Sequence, residues 1–122
     1  MNTRRILLGR KGERLATAFL KRQGYSIIQR NYRCKYGEID IIAKDGTALV
    51  FVEVRTVSSD HFGDPQQTIN NRKKRHISKV ALHYLTKYEI RDVEVRFDVI
   101  AVSLLPHETK MDLFKNAFEV MK

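Results

Sequence analysis

Between Gly37 and Arg55 the chain reads GEIDIIAKDGTALVFVEVR, two apolar-rich runs on either side of Asp45-Gly46. Asp-Gly between such runs is a strong short-range hairpin signal. With an even-numbered loop, Lys44 faces Thr47, Ile42 faces Leu49 and Glu38 faces Glu53. Side chains alternate between faces along a strand. Ile39, Ile41, Ala43, Ala48, Val50, Val52 and Val54 then share one wholly apolar face. An odd loop would mix charge into that face, and the buried side pins register against such a slip. The other face holds Glu38, Asp40, Ile42, Leu49, Phe51, Glu53 and Arg55.

Upstream, Leu8, Gly12, Leu15, Ala16 and Phe19 recur at helical spacing, which predicts a helix from about Thr3 to Gln23 with Gly24 as its stop. Gly9 and Gly12, on or beside its inward face, would let it approach a sheet closely. Tyr25–Tyr32 reads as a strand. Ser58–Pro65 is polar with Gly and Pro, a mobile loop carrying the isolated, solvent-facing His61. From about Gln66 to Lys87 the period is helical again. Ile77, Val80, Ala81 and Tyr84 form its buried stripe, and Lys73 lies on the buried side of its first turns, where its amine could reach the end of the sheet. Val93–Leu105 is a strand, central by its apolar RFDVIAV portion, and Asp98 inside it needs a partner if buried. Met111, Phe114, Ala117, Phe118 and Met121 repeat at roughly helical spacing and predict a short closing helix. The element order is αβββαβ, of the α/β class.

At 122 residues the chain reads as a single domain, 1–122, long enough to bury a core. No run approaches the ~20 apolar residues of a membrane span, and Ile6-Leu7-Leu8 is too short for a secretory segment. Cys34 stands alone, which excludes disulfides within the chain and cysteine-based zinc sites. These features predict a cytoplasmic protein with no membrane partner. The net charge of +9 is unevenly spread. Residues 1–35 hold ten Lys/Arg and one acid, and residues 67–91 hold seven and one; between them, residues 36–66 hold two and six. Two basic segments flanking an acidic centre suit a polyanion partner, provided that a cation offsets the centre.

That acidic centre is the candidate chemistry. In the register above, Glu38 opposes Glu53, and Asp40 is a diagonal neighbour of Glu53 at roughly 7–8 Å. Like charges so placed destabilise a strand pair, and a divalent cation collecting carboxylate oxygens would offset them. The plainer alternative is a solvated face with Arg55 neutralising Glu53; Ile42, Leu49 and Phe51 on the same face argue against full solvation. Glu13, at the edge of the first helix's apolar stripe, reads on its own as a solvent-facing acid paired with Arg10 or Arg14. Arg72, Arg75 and Lys79 form a stripe, flanked by His76 and His83, which suits a phosphate backbone or is simply the helix's wet side. No phosphate-binding glycine loop, serine elbow or metal-spaced histidine pair is present.

Glu13 on a first helix, Asp40, and then Glu53-Val54-Arg55 resemble the PD-(D/E)XK nuclease superfamily, most closely its archaeal Holliday-junction resolvases. The chain as a whole looks like the small bacterial YraN family. The matching residues include Gly9, Gly12-Glu13, Ala16, Leu20, Gly24, Asn31, Gly37-Glu38-Ile39-Asp40, Phe51-Val52-Glu53-Val54, Phe62-Gly63, Pro65, Lys73, Phe97-Asp98 and Asn116-Ala117-Phe118. The resemblance implies a restriction-endonuclease-like fold, a mixed sheet flanked by helices. It implies Mg²⁺ (or Mn²⁺) held by Asp40 and Glu53 with Glu13 completing the cluster; Glu38, from the hairpin register, is a candidate extra acid. Structured or branched DNA is the expected substrate, with the helix stripe Arg72, Arg75 and Lys79, together with Arg10 and Lys11, as candidate phosphate contacts; a homodimer would suit a two-fold junction. The superfamily pattern ends in Lys, and here Arg55 stands there. A guanidinium stays protonated, so Arg55 can clamp a phosphate but is a poor base. Lys73 is the candidate substitute amine. The alternative to an endonuclease is therefore a nucleic-acid-binding module of the same fold without cleavage.

Overall fold

In the computed structural model, which describes residues 3–57 and 69–121, a five-stranded mixed sheet lies between two helices. In chain order the elements are α1 (Thr3–Arg22), β1 (Ser26–Cys34), β2 (Gly37–Asp45), β3 (Ala48–Val57), α2 (Asn71–Lys87), β4 (Glu94–Leu104) and β5 (Thr109–Phe118). The strands lie in sequence order; β3 and β4 are parallel and the other neighbours antiparallel. A parallel pair needs a crossover, and α2 supplies it. The arrangement is restriction-endonuclease-like. Among the described residues no helix is long and apolar enough to cross a membrane. The Ser58–Pro65 loop with His61, and the first residues of the helix expected from Gln66, lie outside the described residues.

Each helix covers one face of the sheet. Ala16 and Leu20 of α1 pack with Ile41, Ala43, Ala48, Val50, Val52, Ile100 and Val102. Ile77, Val80, Ala81 and Tyr84 of α2 pack with Ile42, Leu49, Phe51, Phe97 and Val99. Close approach of α1 depends on Gly12, where an added Cβ would run into the Thr56 side chain; Gly9 has open space instead. Gly12→Ala would gain helix propensity of about 1 kcal/mol. The clash should outweigh it, since overpacking costs ~1–3 kcal/mol. Thermal melts should therefore show Gly12→Ala less stable than wild type and Gly9→Ala equal to it or more stable.

The β2–β3 hairpin keeps an even loop, but its register differs from the expected one. Asp45 pairs with Ala48, Lys44 with Leu49 and Ile42 with Phe51, so the turn is Gly46-Thr47. Asp45 stays in the strand because Arg96 holds its carboxylate at 2.8 Å, and Gly46 takes the left-handed conformation (φ +61°). A slide of two residues keeps every side chain on its face, so the apolar partition survives while the facing pairs change. Ile39 is the exception. It packs with the α2-side cluster while Ile41 packs on the α1 side, so alternation breaks at Asp40. Across from the break, between the pairs Arg30–Ile41 and Tyr32–Ile39, Asn31 has φ +54°.

The C-terminal segment is a strand, β5, rather than the expected closing helix, which makes the order αβββαββ. Phe97 pairs with Phe118 and Val99 with Phe114, so three residues of β5 oppose Asp98 alone. That bulge, with Asn116 at φ +53°, spaces Phe114 and Phe118 four apart and imitates a helical period. Asp98, fully buried, holds the bulge in place. Its carboxylate accepts from Asn116 N–H (3.0 Å), Tyr25 Oη–H (2.7 Å) and Arg96 Nε–H (2.9 Å).

Candidate metal centre and nucleic-acid interface

The break at Asp40 gathers the acids. Glu13 from α1 and Glu38 and Asp40 from β2 each present a carboxylate oxygen, and these oxygens lie within 4.8 Å of one another. Asn31 bridges two of them: with its amide turned to present NH₂, it donates to Glu13 Oε1 (2.6 Å) and Glu38 Oε1 (3.0 Å). Arg33 Nε–H donates to Glu38 Oε2 at 2.7 Å. Asp40 Oδ2 accepts from Val54 N–H at 2.8 Å, which fixes the carboxyl against β3.

Glu53, buried on β3, is the nearest acidic influence on Asp40. Burial first, then Glu53, and more weakly Glu13, push the Asp40 carboxyl far above the usual carboxylate range, against the lowering effect of the Val54 N–H. Glu13 is raised as well, chiefly by burial and by Glu38, with Arg30 and Arg33 partly offsetting. The acids have thus been brought together at an electrostatic cost that protons relieve and a cation would relieve further. Three carboxylate oxygens from separate residues are the hard donor set that suits Mg²⁺ or Mn²⁺.

Of the remaining expected site residues, Lys73 and Arg10 stand beside this cluster. Lys73, in the first turn of α2, extends its ammonium to 3.3 Å from Glu53 Oε2 although its own side chain is largely exposed. Asn70 caps the same helix end, accepting from Lys73 N–H at 2.8 Å. Arg55 is half-buried two residues beyond Glu53 on β3. Arg10 lines a cleft of about 380 Å³ with Arg5, Gly9, Glu13, Asn31, Arg33 and Glu38, so acids and bases face one opening. Lys11 is exposed on α1, and Arg72, Arg75 and Lys79 are exposed along α2.

Three features differ from the sequence reading. Lys73, expected on the buried side of its helix, has an exposed side chain, and only its ammonium reaches inward to Glu53. Glu38 is not across from Glu53; it turns towards Glu13 and Asp40 in the tight group, and Glu53 joins through Asp40. Asn31 and Arg33 were missed as site residues. The signal for Asn31 was available, since Asn is the non-glycine residue that most readily accepts positive φ in a strand break.

A family model described as "Uncharacterised protein family UPF0102" matches residues 12–102. A UPF0102 protein of Syntrophus aciditrophicus is 46% identical over 118 residues, covering 97% of this chain and 93% of its own. One from Geobacter sulfurreducens is 49% identical over 115 residues (93% and 90%). One from Caldicellulosiruptor saccharolyticus is 45% identical over 113 residues (91% and 96%). The matched span includes every acid of the cluster, Arg55 and Lys73.

Proposed function

This chain belongs to the UPF0102 (YraN) family, and from that premise we propose that it is a cytoplasmic, metal-dependent endonuclease-like protein acting on structured or branched DNA. The observation that carries the proposal is the convergence of carboxylate oxygens of Glu13, Glu38 and Asp40 within 4.8 Å of one another, with buried Glu53 raising the Asp40 carboxyl. Glu13, Glu38 and Asp40 would hold Mg²⁺ or Mn²⁺, with Glu53 alongside. Such a cation, when bound, supplies Lewis-acid stabilisation of charge developing on a scissile phosphate. The chain's own residues do the rest. Asp40 releases its proton to free its oxygens as ligands. Asn31 and Arg33 hold Glu13 and Glu38 in place. Arg10 and Arg55 offer fixed positive charge to phosphate oxygens. Lys73 Nζ, beside Glu53, is the group placed to exchange a proton with the attacking water.

A second reading, a binding module without cleavage, is favoured by one feature, Arg55 in place of lysine. Both readings place phosphates along Arg72, Arg75 and Lys79. Incubation of blunt duplex, flap and four-way-junction DNA with Mg²⁺ or Mn²⁺ should give metal-dependent cleavage that chelator abolishes. Binding should weaken with salt by ~0.9 log unit per log unit of salt for each contact. Replacing Arg72, Arg75 and Lys79 by Ala should lower that slope by ~2–3. An unchanged slope would mean that the stripe is only a solvated face.

A further inference from the structure

On the α2 side of the sheet a second opening, of about 430 Å³, is lined by Tyr36, Lys79, Leu82, His83 and Thr86. The acidic cluster uses none of these residues. Tyr36, in the β1–β2 turn, leaves 41% of its surface in solvent. The His83 ring meets it edge-on at 6.3 Å and 68°, and Lys35 Nζ lies 5.2 Å from its ring centroid. His83 is held from behind, its Nδ1 2.7 Å from the hydroxyl of buried Tyr32, which itself packs edge-on against Tyr84. Nε2 is then the imidazole nitrogen left to a ligand. Leu82, 63% exposed, adds an apolar wall.

We propose that this pocket seats one unpaired nucleobase, with the adjoining phosphates on Lys35 and Lys79. The proposal rests on the nucleic-acid reading above and narrows its substrate to strands with unpaired nucleotides. An aromatic ring in solvent with an ammonium group over it matches a nucleotide, which joins a π-face to an anion. A base inside a duplex has both faces covered by its neighbours, so a tail, flap or branch point supplies the occupant without the cost of flipping a base out of the stack. Two placements connect the pocket to the rest of the interface. Lys79 belongs both to this pocket and to the Arg72–Arg75–Lys79 stripe. Tyr36 also stands two residues before Glu38, at the start of the strand that carries two of the acids.

The test compares a blunt duplex with the same duplex bearing a single-stranded thymidine tail, by fluorescence anisotropy in chelator at fixed salt. Base–aromatic stacking is worth ~1–3 kcal/mol per base, so Tyr36→Ala should weaken binding of the tailed DNA roughly 5- to 150-fold. It should leave the blunt duplex unchanged, and Tyr36→Phe should restore the tailed affinity. The chain contains no tryptophan, so Tyr36→Trp makes a lone indole whose emission stacking quenches. The thymidine tail should quench it and an abasic tail should not. Equal loss on both DNAs, no loss on either, or equal quenching by the abasic tail overturns the pocket and leaves nucleic-acid binding standing. If wild type binds neither DNA, the nucleic-acid reading falls with it.

Discussion

Mn²⁺ is expected to raise the melting temperature of the wild-type protein, and Asp40→Asn is expected to abolish that rise and to stabilise the protein in chelator. A ligand of the folded state stabilises by mass action, by ~2.7 kcal/mol at a hundredfold excess over Kd. Asn removes a negative ligand and with it that gain. Without metal the change is benign, because Asn mimics the protonated carboxyl. Its oxygen can still accept from Val54 N–H, and it sets no second negative charge beside Glu53. The pH dependence has a definite sign. Asp40 and Glu13 have folded pKa values raised above their unfolded ones. Between the ordinary carboxylate range and the raised values the folded state holds more protons than the unfolded. Stability from these groups is therefore full at low pH and is lost as pH rises through that window. Melting curves in chelator from pH 5 to 9 should fall for wild type and stay flatter for Asp40→Asn, with the gap widest at alkaline pH. A Mn²⁺ response that survives in both Asp40→Asn and Glu53→Gln would remove the metal site.

How much of this was legible in the sequence depends on which force decided each feature. The face partition of the hairpin followed from alternation, and alternation is insensitive to a slide of two residues. The slide itself came from a long-range contact, Arg96 to Asp45, whose partners lie 51 positions apart. The closing strand carries a helix-like period because Phe114 and Phe118 stand four apart on either side of a bulge opposite Asp98, and the bulge is held by that buried carboxylate from another strand. At the site, Asp40 and Glu53 were paired by the strand pattern alone, whereas Glu13 needed the family resemblance. What brings Glu13 in is the packing of Gly12 on Thr56, a contact between α1 and β3 that no local period encodes. Glu38 was placed against Glu53 by extending an ideal ladder through Asp40, where the real strand changes face.

Lys73→Met is expected to reduce turnover by ~10²–10⁴-fold while weakening DNA binding far less, the loss typical of a positioned acid–base group. The amine lies 3.3 Å from Glu53 Oε2, within reach of the carboxylates and with an exposed stem that leaves it room to move. Removing it also strips Glu53 of its ion-pair partner, so Lys73→Met alone mixes proton transfer with charge. Lys73→Arg separates the two. A guanidinium keeps the positive charge beside Glu53 but cannot give up a proton. If Lys73 works by proton exchange, Lys73→Arg should bind DNA like wild type and cleave as poorly as Lys73→Met. If its role is charge alone, Lys73→Arg should recover most of the rate. Arg55→Lys supplies the complementary measurement, because it restores an amine at the position where the superfamily pattern carries one. It should be tolerated or should raise cleavage, and it should make cleavage less dependent on Lys73. The decisive contrary result is that wild type and Arg55→Lys both bind duplex, flap and junction DNA, yet neither cuts with Mg²⁺ or Mn²⁺. The binding module then replaces the nuclease, and Lys73 becomes a counter-ion whose loss should lower the melting temperature, because it leaves buried Glu53 without its ion-pair partner.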